Sequence, residues 1–191
     1  MSFITSIKDI DTQLFLFLNS KHNSFFDVIM FWVSHKYFWI PLYALFLFLS
    51  YKHFGKKVWQ VILGAVLVIV LSDQLSVHAF KEVFMRYRPC HNLILQSQIH
   101  LNDGCGGTYG FISSHAANTF ALAIFLSLLF KNKIKYFGLL IFVWAAFVSY
   151  SRIYNGVHYP ADIACGAIVG MGIGITVFKM YQFANNKLKD E

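Results

Sequence analysis

Between residues 3 and 18 apolar side chains recur at Phe3, Ile7, Ile10, Leu14 and Phe17, the spacing of one helix face. Lys8, Asp9 and Asp11 interrupt the run. The pattern predicts an amphipathic helix that lies on a membrane surface rather than crossing it. A polar break, Asn19-Ser20-Lys21-His22-Asn23, follows. Phe25 to Val33 is apolar but shorter than the about 20 residues a spanning helix needs. It is either re-entrant or part of a bent helix continuing into the next segment. Five clearer runs predict spanning helices: residues 37–51 with Pro41 near the start, 58–80, 115–130, 134–150 and 161–181. In the last, Gly166, Gly170, Gly172 and Gly174 predict close helix packing. The expected fold is all-α: a polytopic membrane helix bundle with five clear transmembrane helices, a sixth left open by residues 24–36, and an amphipathic N-terminal helix within residues 1–23. No linker, low-complexity tract or internal repeat divides the chain, so residues 1–191 are expected to form a single domain.

Composition narrows the class. The chain is 57% hydrophobic and only 13% charged, which excludes an ordinary water-soluble domain. A formal net charge of +7 would suit nucleic acid, but the basic residues fall in short clusters between apolar runs, as on the cytoplasmic face of a membrane protein. No nucleic-acid partner is expected; the bilayer is. Residues 1–19 lack the basic start and small-residue cleavage site of a secretory signal peptide. Lys52, Lys56 and Lys57, then Lys131, Lys133 and Lys135, then Lys179, Lys187 and Lys189 must share one side if each run crosses once. With that side cytoplasmic, residues 81–114 and 151–160 meet on the outer face.

Those outer segments carry the candidate chemistry. In Ser151-Arg152-Ile153-Tyr154-Asn155-Gly156-Val157-His158-Tyr159-Pro160-Ala161-Asp162, Pro160 suits the first position of a helix. With Tyr159 as N-cap, Asp162 is the third helical residue and its carboxylate can turn back toward His158. A carboxylate on one imidazole nitrogen fixes the tautomer and leaves the other as nucleophile or base. Alone, such a pair is more often structural than catalytic. Arg152 adds a planar fork suited to phosphate. Lys81 and Arg88, in Lys-Glu-Val-Phe-Met-Arg-Tyr-Arg-Pro, are two helical turns apart and share a face if the helix continues that far. Their place on the outer side, against the positive-inside bias, calls for an anionic ligand. In Phe-Ile-Ser-Ser-His-Ala-Ala-Asn-Thr, residues 111–119, Ser113 is a natural N-cap, the first N–H groups of the helix form an anion site, and His115 in the first turn can donate a proton.

Read in order, the three pieces are Lys81-x6-Arg88-Pro89, Ser113-x-His115 and Ser151-Arg152-x5-His158-x3-Asp162. This resembles the signature of the type 2 phosphatidic acid phosphatase superfamily, which also includes bacterial acid phosphatases and vanadium haloperoxidases. The motif region spans residues 81–162. The middle motif departs from the usual Pro-Ser-Gly-His: Ile112 stands for the Pro and Ser114 for the Gly, and a side chain at 114 would narrow a phosphate pocket. The resemblance implies an integral membrane lipid phosphatase in a bacterial cytoplasmic membrane, its site facing the periplasm or cell exterior. It implies that His158 attacks phosphorus and forms a phosphohistidine, that Asp162 orients it, and that His115 protonates the leaving group and then helps activate water. Lys81, Arg88 and Arg152 would hold the phosphate oxygens, helped by Ser113 and the backbone N–H groups of Ser114 and His115. No metal and no other cofactor is expected, because the three cations would repel one. The implied substrates are undecaprenyl pyrophosphate, phosphatidylglycerol phosphate, phosphatidic acid and lipid A. A lipid-to-lipid phosphotransferase and a non-enzymatic lipid-binding or transport protein are the alternatives.

Two further features stand apart. Cys90 and Cys105 lie in the outer loop, on an oxidising side, and are expected to pair; Cys165 is expected only to pack. Asp73, beside Ser72 and Gln74 within a spanning run, is either functional or a hydrogen-bond partner of a neighbouring helix. The turn Asp103-Gly104-Cys105-Gly106-Gly107 is given no phosphate role.

Overall fold

The computed structural model describes residues 3–190. Of Phe3, Lys187 and Lys189 only the backbone is described, so their side-chain roles lie outside the described residues. The helices are α1 (Phe3–Asn19), α2 (Ser24–Ser34), α3 (Ile40–Phe54), α4 (Val58–Gln74), α5 (Glu82–Phe84), α6 (Ser114–Phe130), α7 (Phe137–Tyr154) and α8 (Pro160–Asp190). A π-helical turn over Leu75–Lys81 joins α4 to α5. Among the described residues there is no strand, only an isolated antiparallel bridge between Tyr87 and Tyr109.

Helix α6 is the axis, packed against α4, α7 and α8. Its contact with α8 is built on glycine. A Cβ at Gly166 would come within 2.7 Å of the Ser113 carbonyl, and one at Gly170 or Gly174 closer still to the carbonyls of Ala117 and Ala121. Every fourth residue of α8 is thus reduced to hydrogen so that two backbones can touch. Gly172, expected to join them, meets open space. This seam also sets the site: the Ser113 N–H donates to the Asp162 carbonyl at 3.0 Å, tying the start of α6 to the start of α8. Phe46, Val61, Val68, Phe125, Phe130, Phe137 and Trp144 fill the main core. The outward faces stay apolar, with Phe48, Leu63, Val66, Leu140 and Val143 exposed, as lipid contact requires.

Two of the runs with enough length and apolarity to cross a membrane, Phe137–Tyr154 and Pro160–Asn186, are single helices. The third, Lys36–Phe84, folds back at Gly55, where φ is 54°, into the antiparallel limbs α3 and α4. Residues 24–36, left open by the sequence, form a separate short helix. Asn23 caps it by accepting from the Phe26 N–H at 3.0 Å, and extended backbone at His35 breaks it from the 3-10 turn Lys36–Trp39. Helix α7 runs four residues beyond its expected end at 150 and takes Arg152 into its last turn.

Helix α1 is amphipathic in a way its apolar stripe only half describes. Ile7, Ile10, Leu14 and Phe17 are indeed exposed, but Asp11, Phe15 and Asn19 on another face are buried. That second face docks on α7, α8 and the 85–113 loop, so α1 is part of the bundle as well as a candidate for the membrane surface. The Asn19 side chain alone donates to the carbonyls of His100, Ile153 and Tyr154 and accepts from the His100 N–H.

Candidate active site

Two local rules place His158. Helix α7 ends in a Schellman closure: the Gly156 N–H donates to the Ile153 carbonyl at 3.0 Å and the Val157 N–H to the Arg152 carbonyl at 3.1 Å. Gly156 sits at φ 79°, and a Cβ there would meet the His100 carbonyl at 2.7 Å, so glycine is needed for two reasons. Helix α8 then starts at Pro160. Asp162 turns its Oδ2 back to accept the Tyr159 N–H at 3.0 Å, the acidic half of a capping box. The same oxygen lies 3.3 Å from His158 Nδ1. With the chain fixed at both ends, His158 is 1% exposed and Asp162 0%. Nδ1 is taken up by the carboxylate, so Nε2 is the free nitrogen.

The structure shows a residue that sequence reasoning passed over. Arg86 donates from one guanidinium nitrogen to Asp162 Oδ1 at 3.0 Å and from another to Asp11 Oδ2 at 2.6 Å, with its plane 4.0 Å from the Tyr159 ring centre. Asp11 Oδ1 in turn accepts the Ala161 N–H at 2.8 Å. Asp162 is therefore held by Arg86, and Arg86 by a residue of α1. Arg86 stood in the quoted basic motif; its use of two acids distant in sequence left no local trace.

Arg88, two residues on, is placed differently from expectation. The helix stops at Phe84, Met85 takes a left-handed conformation at φ 44°, and the seven-residue spacing from Lys81 does not act as two helical turns. Instead residues 86–88 pair with 108–110: the Arg88 N–H donates to the Thr108 carbonyl at 3.2 Å and the Gly110 N–H to the Arg86 carbonyl at 2.9 Å. A disulfide joins Cys90 and Cys105, with Cα atoms 5.9 Å apart, closing this ribbon. The Arg88 guanidinium donates to the Cys105 carbonyl at 2.8 Å. A Cβ at Gly110 would stand 3.0 Å from Arg88 Cγ and 3.4 Å from His158 Nδ1, which brings Arg88 against the His–Asp pair. The glycine-rich turn, given no phosphate role from sequence, holds the Arg88 guanidinium through the Cys105 carbonyl.

Lys81 reaches α6. Its Nζ donates to Ser114 Oγ at 2.6 Å, and Ser114 Oγ also pairs with Ser76 Oγ at 2.7 Å. The side chain that replaces the usual glycine is thus engaged in holding Lys81. Ser113 caps α6, accepting the Ala116 N–H at 3.4 Å, and His115 lies in the first turn. Ile112 is fully buried. Arg152, 7% exposed, donates to Ser34 Oγ of α2 and stands 3.8 Å from Asp103, while its Nε has no partner.

The charge pattern separates these cations. Arg86 is neutralised by two close carboxylates. Among the described residues, Lys81 and Arg88 have no carboxylate within ion-pair distance and Arg152 has only the loose contact with Asp103. Three half-buried or buried cations and an orphaned buried N–H are donors of the kind that can bind a tetrahedral anion. Burial first, then Arg88, Arg152 and Lys81, hold the His158 imidazole well below its usual pKa, which favours the neutral ring. His115 lies within the electrostatic reach of Arg152, His158 and Lys81.

One group has metal-ligand composition: His22, Asp27 and His100, whose ligand atoms lie within 4.8 Å of one another. His100 Nε2 and Asp27 Oδ1 are already engaged with one another at 2.8 Å, the Tyr154 hydroxyl donates to the same oxygen at 2.7 Å, and the His22 and His100 imidazoles stack in parallel at 3.8 Å. The cluster anchors the loop to α2 and α7.

A groove of about 810 Å³ opens from this site. It starts at Ser114 and His115 and runs between α3, α4, α6 and α7, past Asp73 and Asn118, to Val61, Leu126 and Trp144.

A lipid A 4'-phosphatase of Bacteroides thetaiotaomicron is 40% identical over 92% of this chain and 78% of its own length. The crystal structure of Aquifex aeolicus LpxE superposes with a TM-score of 0.63 at 27% identity, over 88% of this chain and 94% of that one. A transmembrane PAP2-type phosphatidylglycerolphosphate phosphatase from Bacillus subtilis superposes with a TM-score of 0.69 at 19% identity, over 95% and 87%, which speaks for the fold. The family model described as the PAP2 superfamily matches residues 62–186, which takes in Lys81, the ribbon of 86–88 with 108–110, the start of α6 and the His158–Asp162 turn, and the chain belongs to that superfamily as a multi-pass membrane protein.

Proposed function

We propose that this protein hydrolyses a phosphate ester of a membrane lipid through a phosphohistidine. The observation that carries the reading is the buried His158–Asp162 pair beside three cations that lack close carboxylate partners. His158 Nε2 attacks phosphorus and a P–N bond forms. The P–O bond to the lipid breaks, and His115 gives its proton to the leaving oxygen. His115 then takes a proton from water, whose oxygen attacks phosphorus, breaks the P–N bond and releases inorganic phosphate. Lys81, Arg88 and Arg152 neutralise the equatorial oxygens throughout, with the α6 N-terminus adding backbone donors. Ser113 supports that terminus as its cap, and Ser114 holds Lys81 in reach.

The groove supports a lipid substrate, since it begins at Ser114 and His115 and most of its lining is apolar. Among lipid A, undecaprenyl pyrophosphate, phosphatidylglycerol phosphate and phosphatidic acid, we infer lipid A, at its 4'-phosphate. The support is the named activity of a relative at 40% identity over most of both chains. The site faces the outer side of a bacterial cytoplasmic membrane. The lysine loops lie at the far end of the helices from the site and cluster together, with Lys133 Nζ over the Phe54 ring at 4.9 Å, and such loops stay cytoplasmic.

The test is phosphate release in detergent from these four lipids, without added metal, by the wild type and His158→Ala. Preferential release from lipid A, abolished in the variant, is expected. Release from none, or full activity in the variant, would remove the reading.

A further inference from the structure

Asp73 lies one to two helical turns from the phosphate site, in the wall of the groove. It is a carboxylate within a membrane-spanning run, an expensive placement that usually serves a function. Around it the groove wall carries Gln74 and Thr119 together with the apolar Ile69, Leu122 and Val148. A carboxylate offers about four acceptor positions. Among the described residues, Asp73 fills one of them, and poorly: Asn118 Nδ2 donates to Oδ1 at 3.5 Å. Asn118 is itself held beside Ser72, whose hydroxyl shares its one proton between Asn118 Oδ1 at 2.6 Å and the Val68 carbonyl at 2.8 Å. That bond orients the Asn118 amide nitrogen toward Asp73 and leaves Asp73 Oδ2 open. The helix is pinned here as well, since Ser76 Oγ donates to the Asp73 carbonyl at 2.8 Å and pairs with Ser114 Oγ.

We propose that Asp73, held by Asn118 and Ser72, is a specificity residue that accepts a hydrogen bond from a donor on the lipid chain lying in the groove. The inference rests on the lipid-phosphatase reading, which supplies the occupant: the groove is continuous with the phosphate site through Ser114 and His115, so the chain that enters it is that of the bound lipid phosphate. The donor's position follows from the helices. Asn118 is one turn inward from Ser114, and Asp73 about two turns from Lys81, so the donor lies roughly 6 to 12 Å from phosphorus at 1.5 Å per residue. The preferred substrate is therefore a lipid phosphate with a hydroxyl or amide N–H several bonds along from the phosphate, near the head of a hydrocarbon chain. A chain with only ester carbonyls at that depth would face the carboxylate with acceptors. A site built around an unfilled polar group discriminates strongly against the analogue that leaves it unfilled.

The experiment compares two phosphatidates of equal chain length in mixed micelles, one with plain acyl chains and one with 3-hydroxyacyl chains. The ratio of their kcat/KM values is independent of how much of a preparation is folded. In the wild type the hydroxylated lipid is expected to lead by about 10-fold, as for a hydrogen bond to a charged acceptor. In Asp73→Leu the ratio is expected to fall to about 1, and Asp73→Asn, which keeps an acceptor oxygen, should retain part of it. Cleavage of both lipids at equal rates by the wild type would overturn the inference and leave the lipid-phosphatase reading standing. A preference that survives in Asp73→Leu would likewise overturn the role of Asp73. Cleavage of neither lipid by a protein also inactive on the four-lipid panel would remove the parent reading and this inference with it.

Discussion

Arg86 is the most exposed point of the account, because nothing in its sequence neighbourhood announces its role. Its guanidinium joins Asp162 at 3.0 Å and Asp11 at 2.6 Å, with the two carboxylates 0% and 8% exposed and Arg86 itself 23%. In Arg86→Met both acids lose their countercharge while the aliphatic stem over Tyr159 is kept. Removing one partner of a buried ion pair costs about 3–5 kcal/mol. The lower end applies here, about 3 kcal/mol, since Arg86 is partly hydrated and each acid keeps one backbone donor, Tyr159 N–H and Ala161 N–H. Asp162 also loses the bond that aims it at His158, so kcat should fall on the order of 100-fold. Denaturant unfolding in detergent measures the first effect and phosphate release the second. Arg86→Met combined with Asp11→Asn separates them: it removes one stranded charge and should recover part of the stability, but not the activity. Arg86→Lys should be intermediate, because one ammonium cannot span both carboxylates with the geometry of a fork. A single variant that unfolds within about 0.5 kcal/mol of wild type and keeps its rate would refute the reasoning.

Three further outcomes are expected. Gly110→Ala places a methyl group 3.0 Å from Arg88 Cγ and 3.3 Å from Asp162 Oδ2; kcat should drop by about 10- to 100-fold with little loss of folded protein, and an unchanged kcat would show that the pair tolerates displacement. Burial, and after it the cations Arg88, Arg152 and Lys81, depress the His158 pKa, so the acid limb of kcat/KM should lie well below pH 6.5, and Arg88→Gln, which removes one such charge, should move that limb to higher pH; a limb that stays or moves lower contradicts the assignment. Reducing the Cys90–Cys105 disulfide, which closes a 15-residue separation, should destabilise the protein by about 3 kcal/mol and weaken phosphate binding through Arg88; an unchanged midpoint and KM in thiol reductant would count against that.

The parts of the fold legible in sequence are those written in local periodicity. Apolar runs gave α3, α4, α6, α7 and α8, and the Asn-Gly-Val-His-Tyr-Pro-Ala-Asp stretch revealed a helix start whose third residue reaches back to the histidine. Boundaries failed where apolarity and helicity diverge: α7 continues past Tyr150 because Ser151 and Arg152 are polar yet buried, and residues 24–34 form a helix too short to read as a span. Long-range pairing was invisible. Asp11 looked like an interruption of a surface helix because its partners, Arg86 and the Ala161 N–H, are far along the chain. The ribbon of 86–88 with 108–110 carries no strand pattern, so Arg88 was assigned to a helix face it does not occupy. Ser114 looked like a departure from a motif, and only the position of Lys81 Nζ gives its hydroxyl a use.

The central claim is that His158 becomes covalently phosphorylated. The direct measurement is a quench of the protein turning over a lipid labelled in its phosphate, under alkaline conditions that preserve phosphohistidine, followed by mapping of the label. Label is expected on His158 of the wild type and none in His158→Ala, while His115→Asn should both gain and lose the label slowly, because it lacks the acid of the first step and the base of the second. Label at another residue, or none on wild-type His158 while lipid is being cleaved, would contradict it.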